Sequence, residues 1–132
     1  MNPIIREHFD IFEAKLIESP VIVSYQILRQ EIAASDGKLR VKAALSDGGS
    51  IELFEYVAES DRHIHLLKYG FHWQDAQGKI RQRWDNAPHY PNLPNAPHHV
   101  HSKNDSVREV MQVPDVFFVI GEIEKALQGR IE

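Results

Sequence analysis

Apolar positions near the start of the chain recur at helical spacing, as Ile5, Phe9, Phe12 and Leu16, with Glu7, Asp10, Glu13 and Lys15 between them. Asn2-Pro3 reads as an N-cap followed by proline at the first helical position. Ser19-Pro20 ends the helix, because the residue before a proline is pushed out of the α region. The pattern then changes to strands. Val21 to Ile32 is rich in β-branched and aromatic residues, and Ser35-Asp36-Gly37 signals a turn. Leu39, Val41, Ala43 and Leu45 alternate with Lys38, Arg40 and Lys42, the period of a strand with one buried face. Asp47-Gly48-Gly49 turns the chain into Ile51 to Val57, and Asp61-Arg62 leads into His63 to Gln74. Ala76-Gln77-Gly78 then closes a hairpin onto Ile80 to Asp85.

Residues 87 to about 105 carry neither period and read as a long loop. Val113-Pro114-Asp115 opens a second helix with Val116, Ile120, Ile123 and Leu127 as its apolar stripe and Gly129 at its end. The expectation is an α+β fold, a five-stranded antiparallel meander flanked by N- and C-terminal helices, with residues 1–132 as one domain.

Composition narrows the classes. A chain of 132 residues and 15.2 kDa, 42% hydrophobic and 26% charged, matches an ordinary globular protein. The absence of cysteine excludes disulfides and thiolate metal sites. No apolar run approaches the roughly 20 residues of a membrane span and no leader pattern opens the chain, so a cytoplasmic location is expected. The net charge of -4 argues against a uniformly basic surface but leaves room for a local basic face. No phosphate-binding glycine loop, dinucleotide fingerprint or nucleophile elbow occurs, and no cofactor is expected.

Candidate chemistry concentrates between Tyr69 and His101, which holds both tryptophans and five of the eight histidines. If Asp75 sits opposite Lys79, then Trp73 faces Arg81, Phe71 faces Arg83 and Tyr69 faces Asp85 on one sheet face. Such a face can stack bases and hold phosphates. The plainer reading is a strand pair whose rings are core and whose arginines cover them. Trp84 falls on the other face in this register, and a one-residue slip would exchange the two sets. Pro88, Pro91, Pro94 and Pro97 recur every third residue, the period of polyproline II or simply of a stiffened loop. His98-His99-Val100-His101 admits acid–base chemistry on a phosphodiester. It also admits metal ligation by His99 and His101, given a third ligand such as His89 or Asp85, or no role at all. With no paired-ligand motif, metal-free chemistry is the expectation.

The run FHWQDAQGKIRQRWDNAPHYPNLPNAPHHVH resembles the TumE family of small prokaryotic toxins of type II toxin–antitoxin modules. The shared pattern is an aromatic strand, a short glycine turn, a strand ending in RWDNAPHH and a proline-rich stretch ending in clustered histidines. This chain has WDNAPHY, with Tyr90 in the last place. The resemblance implies a toxin, a helix-turn-helix antitoxin as partner, and interference with nucleic acid or translation, with RNA cleavage foremost.

The resulting expectation is a metal-independent ribonuclease. His72, His89, His98 or His101 supply acid and base, Arg83 or Arg81 holds the phosphate, and Asp85 and Asn86 orient an imidazole or bind a base. Tyr69, Phe71, Trp73 and Trp84 would contact substrate. Two alternatives stand beside it: a non-catalytic module for an antitoxin or single-stranded nucleic acid, and a degenerate, non-toxic relative.

Overall fold

The computed structural model describes residues 1–87, 98–102, 107–109 and 114–128. Helix α1 (Pro3–Glu18) is followed by strands β1 (Ile22–Ile32), β2 (Asp36–Leu45), β3 (Ser50–Ser60), β4 (His63–Gln74), β5 (Ile80–Asp85), β6 (His99–Ser102) and β7 (Val107–Glu109), then by helix α2 (Val116–Gln128). The strands form one antiparallel sheet in sequential order from β1 to β7. All five expected strands are present. The difference is that the meander continues through β6, inside the stretch that reads as loop, and through β7 just beyond it. Four- and three-residue strands are too short to establish a period, and it is pairing with β5 that specifies β6. The proline strap with His89 and Tyr90, and Gly129, lie outside the described residues.

Local chemistry accounts for each boundary. The Asn2 side chain accepts from the N–H groups of Ile4 and Ile5, which caps α1. Its amide also donates to Ala34 O and Glu59 Oε1, tying the helix start to the sheet. The expected stripe Ile5, Phe9, Phe12 and Leu16 is the buried set of α1. At α2, Asp115 accepts the Phe118 N–H at 2.8 Å. Val119 joins the expected Val116, Ile120, Ile123 and Leu127 on its buried face. Between β3 and β4, Asp61 and Arg62 both adopt positive φ, as a two-residue hairpin turn requires. Gly37 lies inside β2 rather than in a turn. A Cβ there would come within 2.8 Å of Ile5 Cγ2, so its absence lets α1 seat against the sheet.

One sheet face carries the core. Leu39, Val41, Ala43, Leu45, Ile51, Leu53, Val57, Phe71, Trp84 and Val100 pack with the buried residues of both helices. The intervening positions, among them Lys38, Arg40, Phe54, His72 and Arg83, project from the opposite face. Glu55 is buried on the core side and meets His8 Nε2 of α1 at 2.8 Å, a pair the sequence pattern does not announce.

Candidate active site

The β4–β5 hairpin sets which side chains share a face. Asp75 and Lys79 are joined as expected, with the Asp75 N–H donating to Lys79 O at 2.8 Å. One step later the ladder slips: Gln74 pairs with Ile80 but Trp73 pairs with Gln82, so Arg81 occupies a bulge. The expected pairs Trp73–Arg81, Phe71–Arg83 and Tyr69–Asp85 therefore do not form. Instead Phe71 faces Trp84, His72 faces Arg83 and Gly70 faces Asp85. Tyr69, Phe71, Trp73 and Trp84 are all buried, at most 4% exposed, and offer no ring to a base. Arg81 still lies over Trp73, with its guanidinium carbon 4.6 Å from the ring centroid.

The same slip gathers the polar residues. Asp85 pairs with His99 and Arg83 with His101 across β5 and β6, so His72, Arg83 and His101 form one cross-strand row on the open face. Gly70, Asp85 and His99 form the next. Asp85 and His99 are 5% and 1% exposed. Around the Asp85 carboxylate, His99 Nε2 is 2.9 Å from Oδ1, Arg83 Nε is 3.3 Å from Oδ2 and His101 Nε2 is 3.8 Å from Oδ2. The Ala87 N–H donates to Oδ1 at 3.0 Å. The His99 and His101 rings meet edge to face, with centroids 4.8 Å apart.

Beside this cluster runs an open groove lined by Arg29, Lys38, Arg40, Lys68 and Arg83, with Glu52 and Asp85 as its acidic members. Phe54, Tyr69, Gly70, His72 and Ala87 also line it. Four of the five cations were not expected at the site. Lys38 and Arg40 are visible in the sequence only as the polar half of an alternating strand, and their convergence with Arg29, Lys68 and Arg83 depends on strand order. Burial, then Arg83, holds the His72 imidazole below its ordinary pKa, against a smaller opposing pull from Glu52.

A family model described as Toxin TumE matches residues 12–131. The chain belongs to this toxin family. No curated protein and no solved structure matches it. The family implies an antitoxin partner. No helix among the described residues is long and apolar enough to cross a membrane.

Within the segment Trp84 to Ala87 the four residues divide their work. Trp84 enters the core and Asp85 enters the polar cluster. Asn86 accepts the Tyr69 N–H at 3.1 Å and donates to Leu67 O at 3.0 Å, replacing ladder bonds where β5 ends. Ala87 supplies the N–H that fixes Asp85. His98 is drawn away from the cluster: its ring stacks on Tyr69, and Nδ1 lies 2.9 Å from the phenol oxygen. Burial and then Asp85 raise the phenol's pKa, while burial and then His99 lower that of His98. Of the expected acid–base and phosphate residues, His72, Arg83, Asp85 and His101 come together, and His98 and Arg81 take other partners.

Proposed function

We propose that this chain is the toxin of a type II toxin–antitoxin module and that it cleaves RNA on the open face of the sheet. The observation carrying this reading is the groove. A chain of net charge -4 places Arg29, Lys38, Arg40, Lys68 and Arg83 along one concavity beside two imidazoles and a buried carboxylate. A single strand laid there meets cations along its backbone, and the phosphate over Arg83 lies between His72 and His101.

In the step we propose, the ribose 2′ oxygen attacks the neighbouring phosphorus and its proton passes to neutral His72. Arg83 offsets the charge that builds on the non-bridging oxygens. The P–O5′ bond breaks, the departing oxygen, facing the Asp85–His99–His101 cluster, takes a proton from water, and His72 returns its own proton to the resulting hydroxide. The products are a 2′,3′-cyclic phosphate and a 5′ hydroxyl. The helix-turn-helix antitoxin that the family resemblance implies, and the cytoplasmic setting expected from the sequence, are part of this proposal.

The test is incubation of the purified full chain with 5′-labelled single-stranded RNA, with products resolved on a gel. Wild-type protein should yield discrete cyclic-phosphate ends. Arg83→Ala should lower the rate about 100-fold or more, the effect of deleting a group that stabilises developing charge. Binding without cleavage by the wild type would replace the nuclease reading with that of a binding module. Neither binding nor cleavage would overturn both.

A further inference from the structure

We propose that Asp85, His99 and His101 form a binding site for one divalent transition-metal ion, of the zinc, cobalt or nickel class. Two imidazoles and one carboxylate are the donor set that leaves coordination positions open for water or substrate. Their ligating atoms all lie within 4.8 Å of one another, on directly paired strands. Zinc–ligand bonds of about 2.0–2.1 Å place tetrahedral donors about 3.4 Å apart. The closest pair, His99 Nε2 and Asp85 Oδ1 at 2.9 Å, is already inside that span. His101, partly exposed at the cluster's edge, closes the remainder by turning its ring.

Two further features suit an ion rather than a bare ion pair. Asp85 and His99 are held almost out of water, where a carboxylate is costly unless strongly compensated, and Arg83 reaches it through Nε at 3.3 Å. The Ala87 N–H orients Oδ1 from behind, the outer support that a liganding carboxylate needs. The expectation of metal-free chemistry rested on the lack of a paired-ligand motif, and it is strand pairing that sets Asp85, the third ligand considered from the sequence, beside His99 and His101.

Binding of the ion does not depend on the nuclease reading, but its role does. In that reaction an ion held by Asp85, His99 and His101 would offset the charge developing on the departing 5′ oxygen beside Arg83, and that oxygen would still take its proton from water.

The experiment uses the full chain, stripped with EDTA and dialysed, titrated with Zn²⁺ by calorimetry and with Co²⁺ by visible absorption. One equivalent should bind, and cobalt should give the intense absorption of a low-coordinate site. His101→Ala and Asp85→Asn should each weaken binding more than about 100-fold, beyond the loss typical of outer-shell changes. His65→Ala, away from the cluster, should bind like wild type. His101→Ala is partly exposed and keeps the test sound if an Asp85 variant fails to fold. No binding, or one equivalent retained in a folded His101→Ala, would overturn the site. Ion binding with no RNA cleavage by the loaded protein would leave the site standing and remove the nuclease reading.

Discussion

Asn86→Ala separates the two roles this residue can have. As a structural staple, it accepts the Tyr69 N–H and donates to Leu67 O. Each bond contributes about 1 kcal/mol net, and leaving the partly buried Tyr69 N–H without a partner adds a fraction more. The exposed Leu67 carbonyl recovers a water, so its share is the smaller one. The total is about 2 kcal/mol. With urea slopes of about 1–3 kcal/mol per M, the unfolding midpoint should fall by about 1 M. Hydrogen exchange adds a residue-level readout: where exchange follows opening, the Tyr69 amide should exchange about 30-fold faster, 2 kcal/mol at a factor of ten per 1.4 kcal/mol. RNA affinity per folded molecule should stay at the wild-type value. A variant with an unchanged midpoint and unchanged Tyr69 exchange, but weakened RNA binding, would refute the staple and restore the base-contacting role.

Three further outcomes follow from the same structure. His72 and His98 are both held below the ordinary imidazole value of 6.5, so the unfolded chain takes up protons first as pH falls below it. Stability should therefore drop as pH falls below about 6.5, and His72→Gln with His98→Gln should flatten that slope in urea melts; an identical slope would contradict the assigned directions. Gly37→Ala should destabilise by about 1–3 kcal/mol, because the added carbon meets Ile5 Cγ2 at 2.8 Å and Glu31 O at 2.9 Å; thermal melts that coincide with wild type would show that α1 is not seated as described. Lys68→Ala should reduce the slope of log affinity for single-stranded RNA against log salt by about 0.7, and an unchanged slope would place the phosphates elsewhere.

How far the sequence reaches is plain at the β4–β5 hairpin. Periodicity located both strands, and turn chemistry located Gly78 and the Asp75–Lys79 closure. The bulge at Arg81 has no such local signature, yet it decides which residues face the groove. It put Trp84 opposite Phe71 on the core face and Arg83 opposite His72 on the open one. Asp85, His101 and Arg83 were legible because charged and imidazole groups in a tryptophan-rich strand already suggest chemistry. Arg29, Lys38, Arg40 and Lys68 were not, since convergence of side chains from neighbouring strands is a property of sheet order. The His8–Glu55 pair was hidden for the same reason: its members are far apart in the chain and meet only when α1 docks.

Photo-crosslinking of 4-thiouridine RNA to the full chain, with the modified peptides identified by mass spectrometry, tests most directly whether the open face is where this toxin works. Crosslinks should fall on β2, β4 and β5 peptides around Arg40, Lys68 and Arg83, and competing unmodified RNA should abolish them. Crosslinks confined to α1 and α2, or none at concentrations that saturate binding, would contradict the account.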